Sequence, residues 1–353
     1  MNLIAAPPPS LFSISDVQRL PGQLSRYRNP SLAKSLTEIA LTFAPYVALW
    51  TAMWVLMHVS YWLALTLAVP AAAFQVRLFM IQHDCGHGAF FKTRATNDWV
   101  GRFVGVFTFT PYDYWKRTHA AHHASAGNLD RRGLGDIETL TVDEYLGLSW
   151  RRRLGYRLYR HPLVMFGVGP AYLFLLQHRV PAGLMREGWK PWLSAMSTTA
   201  GAALVIALMM WLIGPTAFVM IHAPIFLIAG SIGVWMFFVQ HQFDGTHWAR
   251  GADWSLPEAA LHGASYYVLP PVLRWLTGNI GIHHIHHLAS RIPFYRLNEV
   301  LRDRPELARV GRVTMWESLG CVKYALWDES AQKLISFATL RRRTRERVSG
   351  PVA

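Results

Sequence analysis

The chain is long enough for two soluble domains, but of its 353 residues 52 % are hydrophobic and only 16 % charged. Ordinary soluble domains are roughly 25 % charged, so the composition excludes a soluble globular protein in favour of a membrane protein. The net charge of +14 comes with no RNA- or DNA-binding motif and sits beside apolar runs, which excludes nucleic acid as a partner and fits a cationic cytosolic face on anionic lipid.

Residues 1–35 are rich in Pro and Ser and read as an irregular cytosolic arm, without the cationic and apolar regions of a cleaved signal peptide. Residues 39–59 contain no Asp, Glu, Lys or Arg and suffice to cross a bilayer as a helix. Residues 61–82 form a second run whose one charge, Arg77, lies near its end, where a long side chain can snorkel. Apolar stretches at 99–112 and 162–176 are too short to span and read as interfacial or buried pieces. Runs at 193–213 and 216–240 are joined by the turn signal Gly214-Pro215 and make a second hairpin. Residues 336–353 form a basic C-terminal tail. Cys85 and Cys321 have no spacing partners and imply reduced thiols without a disulfide framework.

Neither hairpin tip, near Ser60 and Gly214, carries a Lys or Arg. Of the 35 Lys and Arg, four lie in the arm, 15 between residues 83 and 192, and 15 after residue 241. The positive-inside rule therefore places both termini and the middle loop in the cytosol. The expected fold is an all-α polytopic membrane protein with four transmembrane helices in two hairpins and a cytosolic helical cap.

That cap would carry most of the chemistry. Nine of the 16 histidines fall in three tight clusters, His83-Asp84-Cys85-Gly86-His87, His119-Ala120-Ala121-His122-His123 and His283-His284-Ile285-His286-His287. Positions i, i+3 and i+4 share one face of a helix, so His83/His87, His119/His122/His123 and His283/His286/His287 each offer imidazoles to one place. His284 is rotated off that face. An even number of spans separates the second and third clusters, so all three lie on one side of the membrane. Eight imidazoles give two metals four each; His241, which ends the fourth span as His83 ends the second, is the expected ninth ligand, with His247 the competing choice. His58, His161, His178, His222 and His262 read as caps or packed residues. Imidazole suits Zn, Cu, Fe and Ni alike, so the spacing alone does not choose the metal. No Glu-x-x-His pattern of the soluble di-iron bundles is present.

The boxes HDCGH, HAAHH and HHIHH, in this order, resemble those of the membrane fatty acid desaturases. The context agrees: Pro111-Tyr112-Asp113-Tyr114-Trp115 before the second box, and GNIGIHHIHHLASRIPFY from Gly278 to Tyr295. Val239-Gln240-His241-Gln242-Phe243 is similar to the bacterial and plant-like branch that acts at the Δ12 (omega-6) position. The resemblance implies a desaturase domain over residues 36–335 and two iron ions held by His83, His87, His119, His122, His123, His283, His286 and His287, with His241 the extra ligand. It implies O2 as co-substrate and an acyl lipid, acyl-CoA or acyl carrier protein as substrate. Asp84, Asp113 and Asn279 are candidates for partners that orient imidazoles. With only about 35 residues before the first span, the electron donor is expected to be separate, a ferredoxin or cytochrome b5-like carrier. The asparagine that animal acyl-CoA desaturases place four residues before their extra histidine is replaced by Phe237. The expected location is the bacterial inner membrane, with an apolar acyl tunnel beneath the histidines walled by spans two and four and the pieces at 99–112 and 162–176. The alternatives are a lipid or carotenoid hydroxylase or ketolase on the same boxes, and a His-rich metal transporter or sensor. The spans hold no Asp or Glu to line an ion path, which argues against the last.

Overall fold

A computed structural model describes residues 12–348; the first residues of the arm and the last of the tail lie outside the described residues. Where the arm is described it is not irregular. Helix α1 (Ile14–Gln23) begins at Ser13, whose hydroxyl accepts from the Asp16 N–H while the Asp16 carboxylate accepts from the Ser13 N–H, a reciprocal cap. It buries Val17 and Leu20, and the turn after it buries Leu24 and Tyr27.

The chain continues as α2 (Leu32–Met57), α3 (Tyr61–Thr66), α4 (Ala68–Gly86), α5 (Arg94–Phe107), α6 (Tyr112–Ser125), α7 (Val142–Gly147) and α8 (Trp150–Tyr159). A π-helical turn at Val164–Val168 leads into α9 (Gly169–Leu175), followed by α10 (Trp189–Ile213) and α11 (Pro215–His241). Short helices complete the chain: α12 (Leu256–His262), α13 (Pro271–Leu276), α14 (His283–Leu288), α15 (Leu297–Asp303) and α16 (Met315–Cys321), before α17 (Phe337–Val348). The protein is mostly helical, and α2, α10 and α11 are long and apolar enough to cross a membrane. α10 passes into α11 through Gly214, whose φ of +86° suits glycine, and Pro215 opens α11 where its missing N–H leaves no bond unmade.

The second expected span differs from the other three. It is helical but broken at Leu67, because Pro70 has no N–H to donate to the Thr66 carbonyl four residues back. α4 is an interior helix: Ala68, Ala71 and Ala72 are fully buried, and their small side chains let α4 lie close against α2 and α11. Its polar residues serve that interior. The Tyr46 hydroxyl donates to Gln75 at 3.2 Å, and Gln82 donates to the Thr110 carbonyl at 3.3 Å. Arg77 does not snorkel. It is buried, pairs with Glu38 and the Trp275 carbonyl, and lies 3.8 Å over the Trp275 ring. Removing one partner of such a pair strands the other. Arg77→Ala is therefore expected to cost about 3 kcal/mol, read as a lower melting temperature in detergent, with Arg77→Met/Glu38→Leu recovering most of it.

The expected piece at 99–112 is the second half of α5 and the turn that joins it to α6 in a helical hairpin. Its tip, Thr108–Thr110, is buried; Phe109 adopts φ +56°, and its carbonyl accepts from Arg179. The Tyr112 ring lies against Gly101, and its hydroxyl sits between the Cys85 carbonyl (2.9 Å) and the Asp98 carboxylate (2.8 Å), which fixes α6 beside the end of α4.

The piece at 162–176 lies along α11. Pro170 cannot donate to Phe166, and the Gly169 N–H reaches back five residues to the Val164 carbonyl, so the turn widens. Phe166 packs on Trp235 and Phe238 at 5.1 and 5.2 Å. Gly167 faces open space, so a bulky residue there would not narrow a tunnel.

The all-α expectation omitted two small sheets. β1 (Leu140–Thr141) runs parallel to β4 (Leu326–Asp328), which pairs antiparallel with β5 (Lys333–Ile335); β2 (Tyr266–Val268) pairs parallel with β3 (Arg312–Thr314). Tyr266 also bridges to Ile282, immediately before α14.

Candidate metal centre

Four elements converge where α4 and α11 end. α4 presents His83 and, at its C-cap, His87; α6 presents His119, His122 and His123; α11 ends in His241; α14 carries His283, His286 and His287. The nine imidazoles divide into two groups, His83, His87, His119, His123 and His286 in one, His122, His241, His283 and His287 in the other, and in each group every ring can place a nitrogen within 4.8 Å of all the others. In the first group the Nε2 atoms of His87 and His119 are 3.1 Å apart, and His123 Nε2 lies 3.2 Å from both His119 and His286. In the second, His241 Nε2 lies 3.1 Å from His122 and 3.0 Å from His283, with His287 3.1 Å from His283.

A neutral imidazole has one N–H and one lone pair, so four or five rings that aim nitrogens at one point leave lone pairs that no proton count satisfies. A cation would satisfy them. Metal–imidazole bonds of about 2.0–2.1 Å place neighbouring ligand nitrogens about 3 Å apart, as found here. Burial, followed by the neighbouring histidines, pushes His119, His123, His283, His286 and His287 well below the ordinary imidazole range, which keeps them in the neutral form that can bind a metal.

The ring nitrogens facing away are held in part. His122 Nδ1 bonds Asp136, His83 Nδ1 lies 3.2 Å from Asp84, and His241 Nδ1 lies 3.4 Å from the Gly263 carbonyl. Asp84 also accepts the Phe294 N–H at 2.6 Å, tying the first box to the loop after the third. Burial alone would raise the Asp136 carboxyl, but the hydrogen bonds it accepts from His122 Nδ1 and the Gly133 N–H bring it below the ordinary value.

Of the candidate orienting residues, Asp84 reaches an imidazole. Asp113 instead pairs with Arg102 through two contacts of 2.9 and 3.0 Å. Asn279, at φ +54°, donates to the Phe294 carbonyl and accepts from Asn298, so it shapes a loop. Asp136 was not foreseen. It sits in a loop laid so close on α6 that a Cβ on Gly135 would be 2.6 Å from the Thr118 carbonyl, and nothing in its spacing announces that contact. His284 turns away as expected and donates to the Leu307 carbonyl at 3.0 Å. His247 joins neither group.

The fatty acid desaturase family profile matches residues 59–318. A fatty acid desaturase of Bacillus subtilis (strain 168) is 40 % identical over 326 residues, 92 % of each chain. The chain belongs to the fatty acid desaturase family. More distant desaturases come from Synechocystis. An sn-1 acyl-lipid omega-3 desaturase (ferredoxin) is 28 % identical over 84 % of each chain, and an sn-1 oleoyl-lipid 12-desaturase is 28 % identical over 62 % of each. In the present chain Phe237 lies one turn before His241, its ring 5.0 Å from His122 and 5.2 Å from His241. An aromatic wall thus stands where an amide could have been a further donor. Trp115 performs the same service for the five-histidine group, stacked on His119 at 4.5 Å.

Proposed function

We propose that the chain is an O2-dependent desaturase that introduces a cis double bond at the Δ12 (omega-6) position of an acyl chain in a membrane lipid, using two irons held by the nine histidines. The convergence of five and four imidazoles into adjacent groups carries this reading. Iron held there would supply the oxidising power, with O2, to remove hydrogen from an unactivated methylene. The chain's own residues do the rest. Asp136 and Asp84 hold the outward nitrogens of His122 and His83, which fixes how those rings point. Phe237 and Trp115 wall the imidazoles with apolar surface. The Δ12 assignment rests on the 239–243 motif and on likeness to an oleoyl-lipid 12-desaturase. Expression in a host that makes only monounsaturated fatty acids, followed by gas chromatography of its lipids, tests it: a Δ9,12 diene is expected, and an ω3 or hydroxylated product would replace the assignment.

The same reading includes four spans, with α3 and α4 together as the second, both termini and the histidines cytosolic, and location in a bacterial inner membrane. The catalytic unit is placed at residues 36–335, flanked by the arm and the basic tail. The reductant is a separate carrier, as the name of the ferredoxin-dependent relative suggests. A reporter inserted after Gly214 is expected on the periplasmic side and one at the C-terminus on the cytosolic side; both in one compartment would defeat the four-span arrangement.

A further inference from the structure

Two stacked tryptophans lead away from the four-histidine group. Trp248 lines, together with His122, His241 and Asp136, a cavity of about 20 Å³. Its ring stacks on Trp327, with centroids 6.2 Å apart and planes inclined by 26°. Trp327 is fully buried on β4, and its indole N–H has no acceptor. Leucine or phenylalanine would fill that space without stranding a polar group, so packing alone does not call for indole. The next residue, Asp328, pairs with Arg343 of α17. The aromatic path thus ends beneath a basic helix.

The outer face of α17 is unlike the faces that meet lipid. Its apolar residues Phe337 and Leu340 turn inward onto the cluster containing Tyr145 and Tyr156, while Arg341 and Arg342 are exposed. Among the described residues from 320 to 346 no large apolar side chain is exposed. Neighbouring α8 differs: Trp150, Leu154 and Leu158 stand at i, i+4 and i+8 and are exposed by 69, 50 and 54 %, the stripe of a helix seated in a bilayer surface. A basic face without an apolar edge fits a soluble acidic protein.

We propose that α17, Trp327 and Trp248 form the electron port: an acidic one-electron carrier protein docks on Arg341 and Arg342, and its electrons pass through the stacked indoles to the four-histidine group. The proposal rests on the redox reading of the metal centre given above. Tunnelling decays more gently through stacked π systems than across saturated side chains, which is what the paired rings supply. The overall balance is R–CH2–CH2–R′ + O2 + 2 e⁻ + 2 H⁺ → R–CH=CH–R′ + 2 H2O. The acyl chain gives up two electrons, the carrier is oxidised in two visits, and O2 takes all four.

The test uses the metal-loaded protein in detergent, without O2 or substrate, mixed in a stopped-flow instrument with a reduced plant-type [2Fe–2S] ferredoxin or with dithionite. Trp248→Leu and Trp327→Leu are expected to lose the fast oxidation of ferredoxin while dithionite still reduces the centre and iron content is unchanged. Trp327→Phe, which keeps a ring, is expected to retain most of the fast phase. Arg341→Glu/Arg342→Glu is expected to weaken ferredoxin binding about tenfold at low salt in a titration that needs no turnover. Wild-type ferredoxin oxidation in both leucine variants would overturn the port. So would a charge reversal that leaves ferredoxin binding intact and abolishes binding to phosphatidylglycerol vesicles. If dithionite cannot reduce the wild-type centre, the redox reading fails, and the port with it.

Discussion

Replacing His241 by alanine is expected to abolish desaturation and to lower bound iron from about two ions per chain to about one. The reason is the unequal division of ligands. The group around His87 has five imidazoles and the other has four, and His241 stands at the centre of the smaller one, 3.1 Å from His122 and 3.0 Å from His283. Its loss leaves three rings and opens the cavity that Phe237 and Trp248 wall, so water would take the vacated position. Loss of a direct ligand should exceed the 10–100-fold effect typical of an outer partner. His247→Ala is the control: its ring joins neither group, so iron and activity should stay normal. Elemental analysis of the purified protein together with lipid chromatography decides the matter, and normal iron in the His241 variant would remove it from the ligand set.

Asp136→Asn is expected to lower iron affinity or activity about 10–100-fold with little change in protein yield. The carboxylate accepts from His122 Nδ1 and from the Gly133 N–H at 3.1 Å, and the first contact fixes which nitrogen of His122 faces the other imidazoles. An amide keeps the volume but can present N–H to Nδ1, which favours the wrong tautomer. The Asp136 carboxyl titrates below the ordinary value of 3.8. Its contribution is therefore complete above that value and is lost as pH falls through the lower folded value. Asp113→Asn should differ clearly. Its partner Arg102 is 41 % exposed, and exposed pairs are worth at most about 1 kcal/mol. Activity in Asp136→Asn equal to that in Asp113→Asn would show that His122 needs no carboxylate.

The sequence was most informative where chemistry and helical period coincide. The i, i+3, i+4 spacing identified eight of the clustered imidazoles, and the matching depths of His83 and His241 at the ends of their helices pointed to the ninth. The four- and five-membered division could not be read there, because it depends on how α6 is turned between α4 and α14. His122 and His123 are adjacent in the chain yet serve different groups. Arg77 was misread for a related reason. Hydropathy assigns a lone charge near a helix end to the interface, but its partners, Glu38 and the Trp275 carbonyl, lie far away in sequence. Asp136 was missed because a loop, not a periodic element, delivers it. The sheets escaped because each strand is only two or three residues long, too short for alternation to register.

The pairing of β2 with β3 bears on how the protein is made. Box three is not a free helix laid on the others. The Tyr266 N–H donates to the Gly311 carbonyl, the Tyr267 N–H to the Gly281 carbonyl, and His284 to the Leu307 carbonyl. Its seat is therefore built from residues up to about thirty positions further along the chain. A ribosome that has just inserted α11 has delivered His83 through His241, yet the four-histidine group is still missing two members, and their support has not been synthesised. Completion of that group's seat is thus a late event, after the chain has passed Thr314. Until then the third box lacks its seat, and a truncation anywhere between residues 290 and 306 should yield a chain that carries all nine imidazoles with α14 unsupported.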